Sequence, residues 1–196
     1  MRIPIFPLHT VLFPGGFLPL KVFEQRYIEM TKVCLKESRP FGVCLIREGQ
    51  EVGATATPEN VGCLATIKEW DMQQLGVFQL KTAGVRRFQI DSRETAANGL
   101  ISAEVTLLPD EPEIAASAES EVCAKMLRVI VDQVGVDKFL APLRYEDPSW
   151  IGYRLTELLP IKLTTRQRLL EINDAQLRLQ TLLVFLKKQG LRGPLS

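Results

Sequence analysis

Residues 3–27, IPIFPLHTVLFPGGFLPLKVFEQRY, decide the fold. From Ile3 to Leu20 there is no Lys, Arg, Asp or Glu, so the run superficially resembles a signal peptide. Pro4, Pro7, Pro14 and Pro19 forbid that reading, because each removes a backbone donor and fixes φ. Residues 2–8 read instead as an extended piece near a sheet edge, where missing donors are tolerated. Phe13-Pro14-Gly15-Gly16 fits a type II turn, with Pro at the second position and Gly at the third. Residues 18–22 lead into the only helix of this half. There Phe23, Tyr27, Met30 and Cys34 fall at i, i+4, i+7 and i+11, one helical face, and Pro40 closes the unit.

Strand signals follow outward from this opening. Residues 41–47 are a short apolar run, and Val61, Cys63, Ala65 and Ile67 alternate at period two within 61–69. Residues 76–83 and 85–91 read as two further strands, and 100–107 as another after the turn dipeptide Asn98-Gly99. Serial short strands with one early helix predict a compact, partly closed sheet or small barrel.

The period changes after Pro109. Asp110 and Glu111 before Pro112 read as a helix start, and residues 110–120 as the linker. Val122, Met126, Val129 and Gln133 follow at helical spacing up to a glycine stop, Gly135. Asp147-Pro148 repeats the capping signal, with an end near Leu159-Pro160. Thr164 and Gln167 read as a capping box. Leu169, Ile172, Leu179, Leu182, Leu183 and Leu186 make a stripe that Asn173-Asp174 interrupts. Lys187 and Lys188 complement the helix dipole before Gly190. The fold class is therefore α+β, a β-rich domain over 1–110 followed by a helical bundle over 111–196.

Composition narrows the function. Hydrophobic residues make up 46% of the 196, charged residues 24%, and the formal net charge is +1. Nucleic-acid binding needs clustered cations to displace counterions, so this balance disfavours it. Cys34, Cys44, Cys63 and Cys123 show no C-x-x-C spacing and read as free thiols in a reducing compartment. His9 is the one histidine, so a zinc site or a Ser-His-Asp triad has little to draw on. No G-x-x-x-x-G-K-[ST] and no G-x-G-x-x-G occurs. Arg86 and Arg87 point to opposite faces of a strand and make no phosphate patch, with at least one of them solvated. The expected reading is cytoplasmic, without cofactor, metal, membrane partner or catalytic residues.

Ile5-Phe6-Pro7-Leu8, Val11-Leu12-Phe13-Pro14-Gly15, Leu18-Pro19-Leu20 and Phe23-Glu24-Gln25-Arg26-Tyr27 resemble the opening of the Lon protease N-terminal domain family. Val61-Gly62-Cys63-Leu64-Ala65 is similar to its "G-x-x-A" strand, and Gly84-Val85-Arg86-Arg87-Phe88 to its "G-x-x-R-F" strand. Leu158-Leu159-Pro160-Ile161 and Arg166-Gln167-Arg168-Leu169-Leu170-Glu171 resemble its helical "LP…KQxLLE" signature. The resemblance runs in order across nearly the whole chain. It implies a PUA-like pseudo-barrel with a helical extension that meets unfolded or tagged polypeptides. The chain ends at Ser196, short of that protease's ATPase and peptidase domains, so neither activity is carried over. Pro14 and Gly15 take turning roles, and Phe23 and Tyr27 packing roles.

A polypeptide-binding module needs an exposed apolar patch or an open sheet edge. Trp70, Met72 and Leu75, in the turn expected between Glu69 and Gly76, are the candidate contacts. Their bland alternative is a turn folded back on the helical half. RNA binding through the PUA-like fold is the rival function. An enzyme would need a deep pocket with convergent titratable groups, and no residue of the sequence names one.

Overall fold

The structure, a computed structural model, describes residues 1–188. The contacts divide the chain into two compact units, Met1–Leu108 and the residues from Pro109 onward. The first unit holds β1 (Arg2–Leu8), β2 (Phe17–Val22), α1 (Gln25–Glu37), β3 (Phe41–Glu48), β4 (Thr57–Pro58), β5 (Val61–Gln74), β6 (Val77–Thr95) and β7 (Ile101–Leu107). The second holds α2 (Ala118–Val134), a 3-10 turn (Val136–Lys138), α3 (Pro148–Leu158), α4 (Leu163–Glu171) and α5 (Ala175–Lys188).

Five strands pair in the order β1-β7-β6-β5-β3, and β3 returns to β1 in parallel, so the circuit closes. β4 adds to β3 and β2 to β6 outside that circuit. β1 is therefore no edge strand, contrary to what its prolines suggest. The offset of its neighbours explains the prolines: β7 pairs with residues 2–5 and β3 with residues 5–8. Pro4 has a partner only on the β7 side and Pro7 only on the β3 side, so the missing N–H of each can face the open side and cost no ladder bond.

The Phe13–Gly16 turn forms as its residues require. Gly15 has φ 70°, and the Gly16 amide donates to the Phe13 carbonyl at 2.9 Å. The turn docks on Gly84, whose amide donates to the Gly16 carbonyl at 2.9 Å and whose carbonyl accepts from Gly15 at 2.8 Å. A Cβ at Gly84 would lie 2.1 Å from the Phe13 oxygen. Residues 76–83 and 85–91, expected as two strands, are thus one, β6, in which Gly84 is the seam. Before it β6 pairs with β2, and after it with β7.

α1 buries Tyr27, Ile28, Met30 and Cys34 over the apolar cluster of Phe6, Leu8, Phe41, Phe78 and Leu80. Such side chains each contribute roughly 1.5–3 kcal/mol when fully removed from water. Phe23 does not join them, because it precedes the helix and stays 51% exposed. Glu24 and Arg26 have a structural task instead. The Arg26 guanidinium, buried over the Tyr27 ring, pairs with Glu24 at 3.0 Å and donates to the Gly99 carbonyl at 3.3 Å.

In the second unit Asp147 caps α3 by accepting from Ser149 and Trp150, with Pro148 in the first turn. Gly135 ends α2, and the break at Asn173-Asp174 separates α4 from α5. Three expectations fail. The helix does not start at Asp110 and Glu111 but at Ser117, which exchanges capping bonds with Ser120. The buried face of α2 is Ser120, Cys123, Leu127 and Val131, one step round from the expected stripe, whose Val129 is exposed. α4 starts after Lys162 with no side-chain cap, so Thr164 and Gln167 form no capping box, and the Gln167 amide donates to Glu171. Gly190, which follows Lys187 and Lys188, lies outside the described residues.

Glu111 is instead drawn into the second unit's core. Its carboxylate accepts from Arg178, from Ser149 at 2.6 Å and from Tyr153. Arg178 is fully buried, lies over the Tyr153 ring and also donates to the Leu169 carbonyl. The segment read as a linker is pinned at its second residue.

Candidate functional site

β5 and β6 form a long hairpin closed by only two residues, Leu75 and Gly76, since Gln74 pairs with Val77. Trp70 and Met72 are therefore strand residues, not turn residues. Only Leu75 stands at the tip, 94% exposed. Met72 is half-buried against the cluster under α1. Trp70, on the same face of β5 two residues away, is 55% exposed and rests its ring on Phe78 at 5.7 Å between centroids. The three candidates thus share one hairpin, but they offer graded exposure rather than one flat patch.

β2 completes the site. It pairs with residues 78–83 of β6, opposite β5, to make a three-stranded ribbon. An open groove of 860 Å³ lies along it, lined by Phe17, Pro19 and Lys21 of β2, by Trp70 and Asp71 of β5, and by Leu80 of β6 among others. Its charges balance: Lys21 and Lys81 face Glu69 and Asp71, and Lys81 pairs with Glu69 at 2.6 Å. Phe17 and Pro19 were not singled out in the sequence. Alternation places them opposite the inward Leu18, Leu20 and Val22. Only the pairing of β2 with a strand some sixty residues on brings them beside Lys81 and Glu69, while Trp70, paired with Leu80, projects from the other face of the ribbon.

The remaining chemistry-bearing groups are engaged elsewhere. Arg87 is buried, and the half-buried Arg86 donates to the Leu108 carbonyl at 3.1 Å. Neither is the solvated strand cation expected. His9 is exposed, and no group of three or more His, Cys, Asp or Glu able to hold a metal occurs among the described residues. All four cysteines are free and buried. Burial pushes the Cys34 thiol up to about 11, Cys123 up to about 12 and Cys44 further. At neutral pH these are thiols, not thiolate nucleophiles. Among the described residues no helix is long and apolar enough to cross a membrane.

The family model of the ATP-dependent protease La (LON) substrate-binding domain matches residues 2–188. The Lon protease of Cytophaga hutchinsonii is 28% identical over 197 residues, which cover 95% of this chain and 24% of that protein. Protein cereblon of Danio rerio is 28% identical over 113 residues, 56% of this chain and 26% of its own. Among solved structures, the Lon N-terminal domain protein from Xanthomonas campestris superposes with a TM-score of 0.79 at 32% identity. That match covers 94% of this chain and 98% of that one. The N-terminal domain of the Mycobacterium avium complex Lon protease shares the fold, at a TM-score of 0.63 and 19% identity. The chain spans about a quarter of the length of the full proteases it matches.

Proposed function

The chain belongs to the Lon substrate-binding domain family, and on that premise we propose that it is a non-catalytic polypeptide-binding module whose clients dock on the β5–β6 hairpin at Trp70, Met72 and Leu75. The observation that carries the site is Trp70: a large, half-exposed ring resting on Phe78, with an almost fully exposed leucine five residues on. Exposed apolar side chains that cluster on one element mark interaction surfaces. The finer architecture belongs to the same reading: a PUA-like pseudo-barrel over 1–110 and a helical bundle over 111–196. The closed strand circuit supports the first, and the shared core of α2, α3, α4 and α5 the second. Four buried free thiols support a reducing, cytoplasmic setting.

Clients of this surface are unfolded segments with exposed apolar side chains. The groove's balanced charges and the chain's net charge of +1 give a polyanion little to hold. The test is fluorescence anisotropy of a labelled unfolded polypeptide against the parent and a Trp70→Ala, Leu75→Ser double variant. The parent binds at micromolar strength, about −8 kcal/mol, and the folded double variant about tenfold more weakly. Equal affinities would remove the hairpin from the site. Tight, salt-sensitive binding of RNA without polypeptide binding would give the function to the rival reading.

A further inference from the structure

A second groove, which shares no residue with the hairpin, runs between α1 and the β1–β7 pair, an open cleft of 320 Å³. Pro4 and Ser102, directly opposite each other in the β1–β7 ladder, form its floor. Alternation sends their neighbours Ile5, Ile101 and Ala103 to the cluster on the other face of the sheet. Met30, Val33 and Cys34 form the facing wall, since i, i+3 and i+4 share one side of a helix. Cys34 adds no charge there, because burial holds its thiol up at about 11 against the pull of Arg39. Arg2 and Arg39 stand together at one end, where Arg39 donates to the Arg2 carbonyl at 3.2 Å. Arg2 pairs with Glu94, and Arg39 with Glu37 at 3.1 Å, but all four side chains are about half exposed or more. Such surface pairs contribute least and exchange readily. The one carboxylate in the lining, Glu29, belongs to the other end. It lies about 12 Å back along α1 from Glu37, more than a Debye length of roughly 8 Å. There it accepts from Gln25 at 2.9 Å and from Asn98 at 3.4 Å.

An apolar cleft with two guanidiniums at one end suits an apolar body with an anionic head. We propose that this groove binds a small apolar carboxylate, its head held by Arg39 and Arg2 and its body lying between Pro4, Met30 and Val33. The volume sits at the lower end of the roughly 300–1,000 Å³ of ligand clefts, so the body is one ring or a short chain and not a cofactor. The head is a carboxylate because both guanidiniums already hold carboxylates at the surface, and their planar fork offers a second one the same geometry. Entry of the ligand exchanges one weak ion pair for another and adds the removal of an apolar body from water, which is where the net gain lies. The chemistry has two sources. One is a free acid such as 3-phenylpropionate; the other is the last residue of a polypeptide ending in phenylalanine, which presents the same ring and carboxylate at the same spacing. The proposal stands apart from the hairpin and does not depend on what binds there.

The test is a titration of the nitrogen-15-labelled full chain, read by amide NMR shifts, with 3-phenylpropionate, its neutral amide 3-phenylpropanamide, and the peptide Gly-Gly-Gly-Phe with a free carboxylate. The expected result is saturable shifts at Met30, Val33, Cys34 and Leu100, with a dissociation constant on the order of 1 mM for the acid. The neutral amide should bind about fivefold more weakly. Arg39→Gln should weaken the acid about fivefold and leave the amide unchanged, while Arg39→Lys, which keeps the charge, should restore most of the loss. Val33→Trp, at a half-exposed position on the wall, should block both ligands without disturbing the spectrum elsewhere. Binding of the acid or of the peptide supports the site, and the tighter of the two identifies the source. Equal binding of acid and amide overturns the proposal, because the arginines then play no part. Shifts confined to residues outside the groove, or no shift with either carboxylate up to about ten times that concentration, overturn it as well.

Discussion

An alanine at position 84 would bring a methyl carbon to 2.1 Å from the Phe13 carbonyl oxygen, a backbone atom that cannot move aside without undoing the turn it belongs to. Gly84→Ala should therefore destabilise the protein by roughly 1–3 kcal/mol, the usual cost of overpacking, read as a lower urea midpoint. An unchanged midpoint would mean that the turn does not dock on β6. Glu111 makes the second residue-scale case. Burial alone would raise its carboxyl, but the Arg178 hydrogen bonds and charge, with donors from Ser149 and Tyr153, hold it below the ordinary carboxylate range. A folded-state value below the unfolded one gives stability that is fully present above about pH 4.3. That stability is lost as pH falls through the depressed value. Urea titrations from pH 7 to pH 3 should show this acid limb in the parent and a flatter one in Glu111→Gln. Arg178→Met, which strands the buried carboxylate, should cost roughly 3–5 kcal/mol at neutral pH. A pH-independent difference between parent and Glu111→Gln would place the carboxylate outside the buried pair.

Among the elements, those with a single local cause were legible. The Phe13–Gly16 turn needs a proline and a left-handed glycine, and both are written at the right positions. Asp147-Pro148 caps α3 with the atoms its sequence offers. Elements that depend on distant partners were not. Gly84 read as a gap between strands because nothing local says that a turn seventy residues earlier presses on it. The end of β5 read as a loop because its two bulges break the period-two pattern that marks a strand, although Trp70 and Met72 keep it between them. In α2 two apolar stripes share helical spacing, and only packing chooses Cys123, Leu127 and Val131. The hairpin itself carries a prediction. Leu75 is almost wholly exposed and Met72 half-buried. Leu75→Ser should leave thermal stability unchanged within about 0.5 kcal/mol while weakening client binding, whereas Met72→Ser should lower both. Circular dichroism melts beside anisotropy separate the two. Loss of stability in Leu75→Ser would mean that the tip packs against something.

At the scale of the whole molecule, the family resemblance was legible because its motifs run in order across both units, and the matched family model covers residues 2–188. The candidate site was half legible. Trp70, Met72 and Leu75 were named for being apolar where polar residues were expected, but Phe17 and Pro19 reach the groove only through the pairing of β2 with β6. The near-balance of charge across the chain predicts that client affinity changes less than about threefold between low and moderate salt. A steep salt dependence, measured by the same anisotropy titration, would point to an electrostatic site elsewhere. The central claim, that unfolded polypeptide docks on the β5–β6 hairpin, has a built-in reporter. The chain has two tryptophans, Trp70 on the hairpin and the buried Trp150 in α3. In a Trp150→Phe variant the emission comes from Trp70 alone. Titration with an unlabelled, tryptophan-free unfolded polypeptide should shift that emission to the blue and protect it from acrylamide quenching, as a half-exposed ring leaves water. Binding detected by anisotropy with Trp70 emission and quenching unmoved would contradict the account.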